Sequence, residues 1–382
     1  MPDELLTSIS KLLISPIDLT TFRSICDSWR AATPGLRFPP LLMFPFDSHQ
    51  MTLEFYNLCD KTRITLHLPE AHNKVICGSS HGYLSLMDET GAVSLLNPFT
   101  KFLIELPPVD ERIASTLFKE VTKQNGLWMI RSALDLVLTP LTKSKLTEVF
   151  FKDIILLSPS KFDGDDFVAI GMLGCSDEIA FCKKGDQTWT ILDTKLSCNI
   201  ISIACYRDKI YVIDFVGEMS MCHISSNATA TLLPNMTAPP NTRRWNLVAS
   251  KEELFLVAHT VNFNIDGNAV VLDYPTVVYQ ADFTTEEPSW CKVESIGSEL
   301  TLFVSRCSGS NFLGKNISGC DGDSVYFSDV LYYTGEEEKE IHSIEVVHLL
   351  DGSIEDIETC HGQFQHSDVV SWFRPNLLRM KE

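Results

Sequence analysis

Apolar positions recur with helical spacing at the front of the chain. Leu5, Ile9, Leu12 and Leu13 fall at i, i+4, i+7 and i+8 with Leu6 beside them, which predicts a first amphipathic helix. Ser15-Pro16-Ile17-Asp18 then supplies a second start: a serine N-cap, a proline at the first helical position where no N–H is needed, and an acidic residue at N3. Leu19, Phe22, Ile25, Cys26 and Trp29 continue that helix at i, i+3, i+4 spacing, and Pro34-Gly35 ends it.

From residue 42 the period changes. Short apolar runs alternate with turn signals: KVICGSSHGYLSLMDETGAVSLLNPFT breaks at Ser-Ser-His-Gly and at Glu-Thr-Gly. The same texture returns in DFVAIGMLGCSDEIAFCKKGDQTWTIL, IISIACYRDKIYVIDFVGEMSMCHI, WNLVASKEELFLVAH and GDSVYFSDV, and reads as antiparallel strand meanders. Pro39 and Pro40 in RFPPLLMF mark the linker between the two textures. Two strand–charged turn–strand units, IISIACYRDKIYVID and RWNLVASKEELFLVA, place Ile210 and Leu254 44 positions apart, while GDQTWTIL and EEPSWCKV each put a tryptophan-led strand after a polar turn. A period near 40–50 residues is that of a propeller blade, so the chain has room for about six to eight blades. Over residues 109–150 the pattern blurs: RIASTLFKEVTKQNG has short-helix character and LTEVFFKDIILLS reads as strand, which suggests a divergent blade with loops. The predicted class is mainly β: a small helical unit over residues 1–40, then a β-propeller over 42–382.

Two helices built from about 34 residues bury too little apolar area to offset chain entropy, so they must lean on another protein or on the rest of the chain. Periodicity alone leaves both readings open. The string MPDELLTSISKLLISPIDLTTFRSICDSWRAATP resembles an F-box, whose usual pattern is Leu-Pro, Leu-Leu, Ile, Leu, then Asp-Leu, Phe-Arg, Val-Cys and Trp-Arg. Pro2, Leu5, Leu6, Ile9, Leu12, Asp18, Leu19, Phe22, Arg23, Ile25, Cys26, Trp29 and Arg30 fill those positions, and Met1 stands where the family has Leu. With no lead-in before Met1, the resemblance implies a weakened hold on the adaptor.

In that family the motif docks on a Skp-type adaptor and through it on a cullin-based ubiquitin ligase. The resemblance therefore implies adaptor contacts drawn from Pro2, Leu5, Leu6, Ile9, Leu12, Leu13, Leu19, Phe22, Ile25, Cys26 and Trp29. Apolar helical anchors seated in a partner groove are an established mode of recognition, with a few anchors carrying most of the energy.

RWNLVASKEELFLVA, VVYQADFTTEEPSWCKVESIGSELTLFVSR, GDSVYFSDV, EVVHLLDGSIEDI and VVSWFRP resemble, in that order, the plant KIB-type β-propeller domain that commonly follows an F-box. With FCKKGDQTWTIL the resemblance covers most of residues 70–376, and the family's Phe-Leu-Gly and Ser pattern is kept loosely in SRCSGSNFLGKNISGCDGDSVYFSD. The two resemblances together imply the substrate-recognition subunit of a Skp-cullin-F-box ligase, its propeller recruiting a protein for ubiquitylation.

The formal net charge of −19 disfavours nucleic acid, whose phosphates demand clustered Lys and Arg, and suits a protein partner with a basic patch. Glu336-Glu337-Glu338-Lys339-Glu340 reads as a solvated acidic loop. No run approaches the roughly 18–20 apolar residues of a membrane span. Asp3 and Glu4 stand where a signal peptide would carry positive charge, so the expectation is a protein of the cytoplasm or nucleus. The twelve cysteines then read as reduced thiols, and the sequons at Asn227, Asn235 and Asn316 as unused.

Candidate chemistry is sparse. No Cys-x-x-Cys pair occurs, and His72/Cys77/His81 and Cys360/His361/His366 lack the paired close spacing of zinc sites, so neither metal nor cofactor is expected. The Asp-Gly steps at Asp163, Asp266, Asp321 and Asp351 do not extend into a calcium loop and read as hairpin turns. A Walker phosphate loop and a dinucleotide fingerprint are lacking, and no nucleophile elbow is expected, so the chain reads as a non-enzyme. Two other functional classes stay in view: a scaffold that sequesters its partner without binding adaptor, and a hydrolase assembled from scattered carboxylates on the propeller.

Overall fold

The computed structural model describes residues 3–13, 15–33, 38–47, 49–117, 120–124, 127–131, 139–141, 150–157, 167–174, 176–225, 227–240, 242–250, 252–260, 262–266, 269–273, 275–305, 310–334, 339–361 and 370–376. Three short helices lead: α1 (Asp3–Leu12), α2 (Pro16–Ser24) and α3 (Asp27–Ala31). The Ser15 hydroxyl accepts from the Ile17 N–H at 3.3 Å with Pro16 in the first turn, as the sequence predicts. The second helix does not run through to Trp29. It stops at Ser24, and Cys26 turns fully extended before a new helix begins at Asp27. Three residues favour the break: Ile25 loses side-chain freedom in a helix, Ser24 turns its hydroxyl back to the Thr21 carbonyl, and Asp27 suits a helix start. The Arg23 guanidinium spans the break, donating to the carbonyls of Arg30 and Thr33.

Strands then form six sheets in a closed ring. Blade 1 combines Ser371–Phe373 with Leu41–Met43, Thr52–Asn57 and Thr62–His67, so the ring is shut by pairing Leu41 with Phe373 and Met43 with Ser371. Blade 2 holds Lys74–Ser80, Tyr83–Asp88, Val93–Leu96 and Leu103–Leu106; blade 3, Phe151–Leu157, Val168–Leu173, Glu178–Lys183 and Thr190–Asp193. Blade 4 runs Ile200–Tyr206, Lys209–Asp214, Met219–His223, Thr229–Leu232. Blade 5 runs Thr242–Ala249, Leu254–Thr260, Thr276–Asp282, Ser289–Val293, with an inserted hairpin Asn262–Asp266/Ala269–Asp273. Blade 6 has five strands, and its Leu300–Val304 lies parallel to Ser324–Thr334 while pairing with Phe312–Lys315 on its other edge. Lys339–His348 and Ile354–His361 complete it.

The expected repeat is present. IISIACYRDKIYVID and RWNLVASKEELFLVA are the first two strands of blades 4 and 5. Trp189 and Trp290 hold corresponding places at the outer strands of blades 3 and 5, and each indole N–H reaches back one blade, to the carbonyls of Pro107 (2.6 Å) and Met236 (2.9 Å). Nearer the axis, Ser80 accepts from the Leu156 N–H and Ser202 from the Leu247 N–H, at 3.1 and 2.9 Å. These bonds use polar atoms at buried blade junctions, where an unpaired group would be destabilising.

Residues 109–150 do not form a divergent blade. Phe151–Leu157 packs directly on Lys74–Ser80, so blades 2 and 3 are neighbours. The segment instead gives α4 (Glu111–Leu117), capped by Asp110 through the N–H groups of Arg112 and Ile113, and a three-stranded sheet of 120–124, 127–131 and 139–140. Ile113, Ala114, Trp128 and Leu141 seal these pieces against the core shared by blades 2 and 3. The Asp-Gly steps also divide. Asp351-Gly352 makes a hairpin turn with Gly352 at φ +69°, and Asp266 ends a strand that pairs antiparallel, Asp266 opposite Ala269. Asp321-Gly322 does not: it precedes a strand that pairs in parallel, so no hairpin can close there. Asp163 lies outside the described residues.

Candidate functional site

The helical unit sorts its apolar residues into two sets. Leu6, Leu19 and Phe22 are buried, with Ile9, Leu13 and Trp29 half-buried against them and the Phe22 and Trp29 rings 4.4 Å apart. Ser10 donates to the Ala32 carbonyl at 3.2 Å, tying α1 to the end of α3. Leu5 (53% exposed), Leu12 (79%), Ile17 (40%) and Ile25 (55%) face solvent instead. Cys26 is exposed too, and a hydrogen bond from the Ser28 hydroxyl, 3.1 Å away, holds its thiol below the usual range. Pro2 lies outside the described residues.

Four large aliphatic side chains in water on so small a unit form an apolar surface available to a partner. Ile17 was not singled out by periodicity, because it falls off the stripe of Leu19 and Phe22. An apolar residue out of phase, directly after the capping proline, was the available signal.

The helices do not stand alone. Leu6, Leu19, Phe22 and Ala32 belong to one buried cluster with Phe38, Leu41, Met43, Leu53, Phe55, Leu84, Phe99 and Phe373, so their core continues into blades 1 and 2. Of the two readings left open by periodicity, the buried stripe rests on the chain itself, and a second apolar set is left exposed.

On the propeller, Phe215 and Val216 stand exposed at the turn between the second and third strands of blade 4. Leu350 and Ile354 are exposed at the turn between the fourth and fifth strands of blade 6, Lys339–His348 and Ile354–His361. The Glu336–Glu338 run lies outside the described residues.

One string does carry the Gly-x-Ser-x-Gly spacing, Gly78-Ser79-Ser80-His81-Gly82. His81 and Gly82 both have positive φ (53° and 83°) and form the tight turn of a hairpin, so Ser80 is not on a strand-to-helix elbow. Its oxygen is committed to Leu156 and to His81 Nδ1. Of the two His/Cys groups weighed and set aside as metal ligands in the sequence, Cys77 is buried with its thiol pushed up by burial while His72 and His81 are exposed, and His366 is outside the described residues. Nine described cysteines are free. Among described residues no helix is long and apolar enough to cross a membrane.

Comparison with known proteins agrees with this architecture. Residues 55–348 match the family described as KIB1-4 beta-propeller. In Arabidopsis thaliana, the F-box protein SKIP23 is 23% identical over 88% of this chain and 85% of its own length. F-box protein At2g17036 is 24% identical over 88% and 84%, and F-box/kelch-repeat protein At1g64840 is 22% identical over 86% and 83%. A family match across more than half the chain, a six-bladed ring, and front helices that fit an F-box lead to one conclusion: the chain belongs to the KIB1-4 β-propeller family and is a plant F-box protein.

Proposed function

We propose that the chain is the substrate-recognition subunit of a Skp-cullin-F-box ubiquitin ligase, with residues 1–40 docking on a Skp-type adaptor and the propeller, over 42–382, recruiting a protein substrate. The observation that carries this reading is the exposed set Leu5, Leu12 and Ile17 on helices whose other face is already buried, with Ile25 exposed just past the end of the second. Such a set has the spacing and chemistry of anchors for an apolar groove. In this reading Leu6, Leu19 and Phe22 act on the adaptor through the shape of the unit, and the chain performs no covalent step itself. The ligase works in the cytoplasm or nucleus, and the −19 balance favours a substrate with a basic patch.

The test is co-purification of a Skp-type adaptor and cullin with the full-length chain and with a Leu5→Ala/Leu12→Ala variant. Capture by the wild type and at least about thirtyfold weaker binding by the variant, on the scale of a lost hot spot, is the expected result. A wild-type chain that captures a partner through its propeller without adaptor or cullin would mark it as a sequestering scaffold instead.

A further inference from the structure

Blade 6 brings together three side chains from separate segments. Asp321 sits in the link before the strand Ser324–Thr334, His348 ends the strand Lys339–His348, and Glu355 lies at the start of Ile354–His361. A carboxylate oxygen from each acid and an imidazole nitrogen all fall within 4.8 Å of one another. We propose that Asp321, His348 and Glu355 form a binding site for a divalent transition ion of the zinc class.

The imidazole carries the argument. Ser324 Oγ lies 3.0 Å from His348 Nδ1 and 3.1 Å from the Gly322 carbonyl oxygen. A serine has one proton to give, and the carbonyl can only accept, so that proton goes to Gly322 and the serine oxygen accepts from Nδ1–H. In the neutral ring Nε2 then bears a lone pair, and it is Nε2 that faces Glu355 Oε2 at 4.0 Å. A lone pair directed at carboxylates is unfavourable unless a proton or a metal cation lies between them, and with Asp321 beside Glu355 the site offers a cation three ligand atoms where a proton would bridge only one pair. Orientation of one ring nitrogen by a fixed partner on the other is also how proteins prepare a histidine for metal.

The surroundings fit the same role. The backbone holds the three segments in place: Asp321 N–H donates to the Tyr326 hydroxyl oxygen at 2.9 Å, Leu349 N–H to the Asp323 carbonyl at 3.0 Å, and His348 N–H to the Ser353 carbonyl at 2.9 Å. His348 is three-quarters covered, while the Glu355 side chain is 60% exposed and free to close on an ion. Zinc bonds of about 2.1 Å place tetrahedral ligands roughly 3.4 Å apart, so from separations of up to 4.8 Å the closure required is at most about 1.4 Å. One nitrogen and two carboxylates suit zinc better than calcium or magnesium, which prefer oxygen alone, and water completes the shell.

Zn2+ titration of the full-length chain, by calorimetry and with Co2+ as a spectroscopic substitute, tests the site against His348→Ala and Glu355→Gln. Each variant is first matched to wild type by circular dichroism, and the near-isosteric Glu355→Gln covers the case in which His348→Ala misfolds. The expected result is one saturable ion per wild-type chain, affinity at least tenfold weaker in Glu355→Gln, and visible Co2+ bands without thiolate charge transfer. Equal affinity in wild type and Glu355→Gln, or a lost ion whose Co2+ spectrum shows thiolate ligation, overturns the proposal. So does the absence of saturable binding.

Discussion

The indole N–H of Trp372 is shared between the carbonyl oxygens of Val304 and Tyr326, each 3.1 Å away. Through this one side chain the final strand of the chain, in blade 1, is bonded to two strands of blade 6, while its own carbonyl accepts from Ser79 of blade 2 at 3.2 Å.

Trp372→Phe should therefore keep most of the ring packing yet leave two buried carbonyls short of a donor, lowering stability by about 1–3 kcal/mol. Trp372→Ala should lose about 3–5 kcal/mol, because the indole is fully buried against Phe303. Urea unfolding followed by circular dichroism measures both. A midpoint in Trp372→Phe equal to wild type would show that the closure does not depend on these bonds.

The two apolar sets of the front helices should separate in experiment. Leu5→Ala/Leu12→Ala removes exposed carbon and should leave thermal unfolding nearly unchanged while weakening adaptor capture. Phe22→Ala removes a buried ring packed at a tilt against Trp29 and should lower stability by about 3–5 kcal/mol along with capture. Loss of stability in the first variant but not the second would reverse the assignment of the two faces.

Alkylation should rank the thiols by pH. Thiolate forms above a thiol's pKa, so Cys26, lowered chiefly by its bond with Ser28, should react at lower pH than an ordinary thiol. Burial pushes Cys182, Cys205 and Cys222 up to about 12, so in the folded chain they should stay unmodified through neutral pH and well into mildly alkaline solution. Peptide mapping after brief iodoacetamide treatment reads the order. Modification of Cys222 as fast as Cys26 would contradict it.

Once a substrate is captured, its association with the propeller should slow as salt rises. Opposite charge chiefly accelerates encounter, and screening removes the attraction beyond about 10 Å at 0.1 M salt. An on-rate indifferent to salt, or an acidic patch on the partner, would restrict the −19 balance to solubility.

Local signals were the ones the sequence displayed. The Ser15-Pro16 start, the strand–turn–strand units of blades 4 and 5 and the tryptophan-led outer strands are written in neighbouring residues, and each stands where expected. The break at Cys26 was hidden because the apolar stripe continues across it: Trp29 returns to the Phe22 face from a separate helix. Which apolar residues would be left in water depended on the cluster joining Leu6 and Phe22 to blades 1 and 2, a contact between distant parts of the chain. The parallel pairing in blade 6 and the meeting of Asp321, His348 and Glu355 are likewise long-range, and no local spacing encodes them.

Phe373 shares a buried cluster with Phe22 and Leu6, and it arrives on the last strand of the sheet on which the front helices rest. A ribosome makes those helices first, most of their support soon after, and the Phe373 side of it last. During synthesis the cluster therefore stays incomplete on that side until nearly the whole ring has emerged. A nascent or prematurely stopped chain lacking residues 371–373 would miss both the closing strand of the ring and the Phe373 side of the cluster that seats the front helices, so full seating of the N-terminal unit is tied to completion of the propeller.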